Sequence, residues 1–175
     1  MCNHFQGTLP FMSVDLHEDP TAKHLPIYDL QSFFFVFIWI CILYTGPGMT
    51  TPRLHPELEP WTKRDHKALQ AFKGNQTSQQ HTFRRQLGSA FTKYFADLVD
   101  FAEGFRKAVQ YSKYEPDQVR ETCPDGNWSR NTAVHDIVIG LFEEEIRRQE
   151  EKNRLHPQKE ARRSSRIRQR TGVGT

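Results

Sequence analysis

Two groupings in this chain carry side chains that could do chemistry. His135-Asp136, with Cys123 twelve residues upstream, brings together an imidazole, a carboxylate and a thiol, the parts from which an activated nucleophile is built. Neighbouring residues on a helix point about 100° apart, so the carboxylate cannot hold the imidazole in the orientation a general base needs. A histidine without catalytic role is expected. The second grouping is Arg162, Arg163, Arg166, Arg168 and Arg170. Such a cluster can contact the phosphates of nucleic acid, serve as a nuclear-import signal, or lie on an anionic lipid surface. No aromatic residue is interleaved with these arginines, so base stacking is unavailable and any nucleic-acid contact would be to the backbone. Ser164 and Ser165 directly follow two arginines, a pattern that basophilic kinases accept. Phosphorylation would add up to about 2 negative charges per site and weaken contact with a polyanion.

Other chemistries find no support. The chain contains no G-x-G-x-x-G, G-x-x-x-x-G-K, H-E-x-x-H or G-x-S-x-G run, the signatures of nucleotide, zinc and serine-nucleophile sites. Its eight histidines are scattered and share no helical face with a cysteine or carboxylate at ligand spacing. An enzyme is therefore not expected, nor a cofactor or small-molecule substrate. Cys2, Cys41 and Cys123 lie far apart and form no C-x-x-C pair, so a reducing compartment suits the folded part. Asn75-Gln76-Thr77 and Asn127-Trp128-Ser129 match the glycosylation acceptor pattern in segments expected to be loops, which matters only if they face a lumen.

Those residues must be positioned by elements, and the least polar is Phe33 to Tyr44, FFFVFIWICILY, closed by Gly46-Pro47-Gly48. Twelve helical residues rise only about 18 Å against a hydrocarbon core of ~30 Å. Extending the segment over 27–45 reaches membrane length, with Tyr28 and Tyr44 at the two interfaces. A membrane span is the leading reading. A buried core element, for which the β-branched and aromatic content suits a strand, and a cleaved secretory signal compete with it. Basic residues flanking the run are Lys23 on one side and Arg53, Lys63 and Arg64 on the other, which favours a cytoplasmic C-terminal side.

Beyond Pro52, Pro56 and Pro60 the pattern turns helical. Trp61, Ala68, Leu69 and Phe72 lie at helical intervals, with Thr62 as expected N-cap, Asp65 in the first turn and Gly74-Asn75 as the stop. Phe91, Phe95, Leu98, Ala102, Phe105 and Val109 follow with alternating spacings of four and three. With Phe83 and Leu87 they predict one helix over 78–112 that buries an apolar seam. After a Pro124-Asp125-Gly126 turn, Asn131 or Thr132 caps a third helix. Val134, Ile137, Val138, Leu141, Phe142 and Ile146 form its apolar face, and Glu143–Arg147, Glu144–Arg148 and Glu150–Arg154 its i, i+4 ion pairs.

The expected protein is all-α: a three-helix bundle over 61–155, an irregular segment 1–29, a short apolar helix and possible membrane anchor within 30–48, a Pro-rich linker 49–60 and a disordered basic tail 156–175. Charge supports that division, since residues 1–50 carry net −3, 51–155 net +1 and 156–175 net +5; the tail is too polar to repay its chain entropy. The function expected is non-enzymatic, an interaction or scaffolding protein that engages a protein partner through the bundle and a membrane through Phe33 to Tyr44, with a polyanion or anionic lipid at the tail. The alternative is a soluble nuclear or nucleic-acid-associated protein acting through its arginines.

Overall fold

The computed structural model describes residues 9–18, 26–62, 65–114 and 128–171, with 111–114, 128–133 and 156–171 as backbone alone. Six helices carry it, α1 Val14–Glu18, α2 Pro26–Leu43, α3 His66–Ser78, α4 Gln80–Gln86, α5 Val99–Tyr114 and α6 Trp128–Thr171. A two-stranded antiparallel hairpin, β1 Tyr44–Gly46 with β2 Met49–Thr50, supplies the strands among the described residues. The all-α expectation stands. The chain divides into two compact units, Met1–Val138 and Ile139–Thr175.

The apolar run is a helix, and it lies at the centre of the first unit. Pro26 opens it, where a residue without N–H costs no hydrogen bond and its φ is already helical. Asp29 sits in the first turn, facing the positive end of the helix dipole. Ile27, Leu30, Gln31, Phe34, Phe35, Ile38, Cys41 and Ile42 are buried, a continuous stripe at helical spacing, while Phe33 and Ile40 face outward. Aromatic contacts tie this helix to two other segments: Phe34 meets Phe105 edge-on at 5.4 Å and Phe37 meets Phe101 at 5.2 Å on α5, and Phe35 meets Trp61 at 5.3 Å. Each such pair adds about 0.5–1.5 kcal/mol beyond the area it buries. The helix ends where Gly46-Pro47-Gly48 turns the chain, with Gly48 at φ 68°, a conformation that glycine adopts without strain.

Several boundaries differ from the sequence expectation. Residues 14–18 and 26–29, expected to be irregular, are helical. Helix α3 is capped by Asp65, whose Oδ1 accepts from the N–H groups of Lys67 and Ala68, rather than by Thr62. It also runs through Gly74-Asn75 to Ser78. A glycine inside a helix costs only about 1 kcal/mol, and burial of Gln76 and Thr77 beyond it holds the last turn in place. Asn75 accordingly stands on a helix, not in a loop.

The expected helix over 78–112 is broken into two α-helices with two short 3-10 turns between them. Helix α4 ends at Gln86, short 3-10 turns occupy Gly88–Ala90 and Ala96–Leu98, and α5 begins at Val99. The break has a tertiary cause. Thr92 donates its backbone N–H to Cys41 O at 3.0 Å and its hydroxyl to Tyr44 O at 2.6 Å, satisfying carbonyls at the end of α2 that the helix leaves open. Phe95 and Leu98 are only half-buried as a result, whereas Phe83, Leu87, Ala102, Phe105 and Val109 are buried. The seam is real in part, and it closes on α2 rather than on a partner within 61–155.

Helix α6 starts at Trp128, ahead of Asn131 and Thr132. The Pro124-Asp125-Gly126 turn, Cys123 and Asn127 lie outside the described residues. Its backbone stays helical past residue 155 to Thr171, through the segment for which composition alone predicts disorder. Arg, Gln, Lys, Glu and Ala dominate that stretch, and all are good helix formers.

Candidate functional site

Three polar residues share the period of an apolar stripe and are buried with it: Gln31 on α2, Lys73 on α3 and Arg106 on α5. Each must find its partners inside the fold or remain unsatisfied.

Lys73 is fully buried. Its Nζ donates to Pro10 O at 3.1 Å and Met12 O at 2.5 Å, and stands 3.7 Å from the centre of the Phe35 ring and 5.4 Å from that of Trp61. Two carbonyls and two aromatic faces offer an ammonium partial compensation, but burial still pulls its pKa down to about 6. The amine clamps residues 10–12 onto the core. Beside it His17 and His66 meet through their Nδ1 atoms at 3.2 Å; burial first, then the charges of Lys73 and His66, lowers the pKa of His17 to about 4. Trp61 is anchored separately, its Nε1 donating to Gln76 Oε1 at 2.9 Å while Gln76 Nε2 donates to Glu57 Oε2 at 2.9 Å.

Arg106 is paired. Its Nε and Nη2 donate to the two carboxylate oxygens of Glu103 at 2.9 and 2.8 Å, and its Nη1 donates to Thr77 O at 2.8 Å. A guanidinium at the C-terminal carbonyls of α3 meets both the open acceptors and the negative end of the helix dipole. Gln110 adds a second donor to the same carbonyl.

Between α1, α2, α3 and α5 lies a cavity of about 120 Å³, with Val14, Phe34, Phe35 and Val109 on its apolar side and Gln31, Arg106 and Gln110 on its polar side. Gln31 Nε2 donates to Asp15 Oδ2 at 3.2 Å; its Oε1 is buried and has no hydrogen-bond donor among the described residues.

The residues expected to act from sequence are placed differently. Arg162, Arg163, Arg166, Arg168 and Arg170, with Ser164 and Ser165, follow one another along the last turns of α6, and their side chains lie outside the described residues. His135 and Asp136 are successive residues of α6, half-buried and exposed. Two of the expected ion pairs take other forms: Arg148 pairs with Glu145 at 2.7 Å, and Arg147 Nε reaches the backbone carbonyl of Glu143 at 3.3 Å. Cys41 is buried within α2, where desolvation pushes its thiol up to about 12. Sequence reasoning missed Gln31, Lys73 and Arg106. The signal was a polar residue in register with an apolar stripe, Lys73 four residues after Leu69 and Gln31 four after Ile27.

A family model described as fungal protein kinase matches residues 2–41, less than a quarter of the chain. No curated protein and no solved structure matches.

Proposed function

We propose that this chain works by binding rather than by catalysis, presenting helix α6 to a protein partner. The supporting observation is the exposure of Ile139 and Ile146, 54 % and 55 % accessible and seven residues apart. That spacing puts both side chains on one face of the helix. Around them stand Glu143, Glu144, Arg147, Arg148, Glu150 and Glu151, a mixed rim of the kind that surrounds an apolar contact in a helix-in-groove interface. The likeness of residues 2–41 to the fungal protein kinase family bears on origin more than activity. Phosphoryl transfer needs a glycine-rich loop, an H-R-D-type catalytic loop and a D-F-G aspartate, and no such run occurs in these 175 residues. The test is site-specific photo-crosslinking from position 146 in cells, alone and with Ile139→Asp. A discrete crosslinked species that the substitution abolishes, with helical content unchanged, supports the reading; crosslinking that ignores the substitution overturns it.

A second reading keeps the membrane. Helix α2 is long and apolar enough to cross one, and the flanking basic residues favour a cytoplasmic C-terminal side. Insertion would have to separate Phe34 from Phe83 and Phe105, so the packed form and the inserted form exclude each other. Carbonate extraction decides: release of the full-length chain supports the packed helix, retention the span. The arginines of the tail supply a polyanion or anionic-lipid contact in either case. Deleting residues 157–175 is expected to remove salt-sensitive heparin binding.

A further inference from the structure

We infer that the outward face of α2 docks the folded chain onto an anionic lipid surface, the helix lying parallel to that surface with its inner face still packed. A helix at the edge of a soluble core carries polar residues on its outer side. This one does not. Its outward positions from the second turn on are Phe33, Val36, Ile40 and Leu43, spaced by three, four and three. Phe33 is 65 % exposed and Ile40 38 %, with Val36 and Leu43 half-buried. All four are apolar, and they lie away from the buried Phe34, Phe35, Ile38 and Ile42. The result is an apolar strip about 15 Å long that the described residues leave partly open. Nothing has to unpack for it to be used, since Phe34 stays on Phe83 and Phe105; the inference thus goes beyond the membrane reading above, in which the helix leaves its core.

Area and charge decide what covers the strip. Phe33 and Ile40 together expose on the order of 200 Å², well short of the ~800 Å² per partner that a stable protein interface buries. A lipid surface sets no such minimum, because an apolar face sinks only ~5–10 Å into the headgroup region and a second attachment supplies the rest. The strip brings no net charge of its own. Asp29 is exposed one turn before it, and Lys93 is exposed near its far end, where Thr92 bonds to Cys41 O and Tyr44 O. The second attachment is the arginine segment, net +5 over residues 156–175, which an anionic leaflet attracts. One weak apolar contact and one basic segment are the two signals that stable peripheral binding takes.

The test is flotation of the full chain with vesicles of phosphatidylcholine alone and of phosphatidylcholine mixed with phosphatidylserine. Binding is expected on the mixed vesicles, with release by carbonate. Phe33→Ser combined with Ile40→Ser should weaken it ~100-fold, about 10-fold for each side chain withdrawn from lipid, with helical content unchanged. Should the double variant unfold, Phe33→Ser alone, at the most exposed of the four positions, carries the test at ~10-fold. Deleting residues 157–175 should also weaken binding at least ~100-fold and remove its dependence on salt. Failure of the unaltered chain to float, or serine variants that bind as it does, would overturn the assignment. Retention through carbonate would do so as well, in favour of the span, and a dimer that the serine variants dissociate, without vesicle binding, in favour of a second copy.

Discussion

Helices α2 and α6 are the two longest among the described residues and use apolar residues in opposite ways. On α2 the rings of Phe34, Phe35, Phe37 and Trp39 each have an aromatic neighbour at a centroid distance of 5.4 Å or less. Phe34 alone approaches Phe35, Phe83 and Phe105. Beyond Val138, α6 carries Ile139, Ile146 and Leu155 with at least two-fifths of each exposed. Hydrophobicity alone does not sort the two, because the more apolar helix is the one that looks suited to a membrane and yet is packed. What sorts them is whether complementary rings occur elsewhere in the chain. Phe83, Phe101, Phe105 and Trp61 answer α2.

The largest test of that contrast is truncation at the centre. Phe34→Ala should cost about 3–5 kcal/mol, the range for removing a buried aromatic side chain, read by chemical denaturation of the full chain. A loss below about 1 kcal/mol would mean that α2 is not held as described. Acidity probes the same core through Lys73. The unfolded chain holds the lysine proton up to 10.5, whereas the folded chain releases it near 6, so unfolding takes up a proton in between. Stability should therefore rise with pH from about 6 to about 10.5, by up to about 1.4 kcal/mol per unit. His17, lowered from 6.5 to about 4, adds a rise of the same sign between those values. Melting at pH 7 and pH 9 checks this, and Lys73→Met, which keeps the aliphatic stem and removes the titrating amine, should flatten the slope above pH 7. A slope that survives the substitution would place the titrating group elsewhere.

Smaller effects sharpen the boundary between the regions. Thr92→Val keeps the shape of the side chain and its backbone bond to Cys41, but loses the hydroxyl bond to Tyr44 O. A cost of about 1 kcal/mol is expected, with faster hydrogen exchange at the end of α2 as the local readout. Ile146→Ala should move stability by no more than about 0.5 kcal/mol, since its side chain is 55 % exposed. Any crosslinked partner found at that position should nonetheless be lost. A stability loss comparable to that of Phe34→Ala would erase the distinction drawn between the two helices.

Much of this was legible in the sequence, and the failures share one cause. The helical class, the stop at Gly46-Pro47-Gly48 and the burial of Ala102, Phe105 and Val109 follow from periodicity and turn chemistry, which are local. Breaking of the seam at residues 87–98 does not, because Thr92 gives its bonds to Cys41 and Tyr44, some fifty residues earlier. Gln31, Lys73 and Arg106 escaped for the same reason. Their partners are Asp15, Pro10, Met12 and Thr77, and a pattern read along one helix does not contain them. Glu103 and Gln110, further partners of Arg106, were within local reach, three and four residues away on the same helix.

The order of synthesis gives the central position of α2 a further meaning. Phe34 leaves the ribosome long before Phe83 and Phe105, the rings that cover it. Translation proceeds at roughly 5–20 residues per second, so the most apolar of the described helices waits several seconds for its shelter. During that interval it presents the same surface to chaperones, to other nascent chains and to the machinery that sorts hydrophobic segments into membranes. Until α5 has been made, α2 lacks the rings that cover it, and slowing translation between residues 44 and 100 is expected to lengthen that interval.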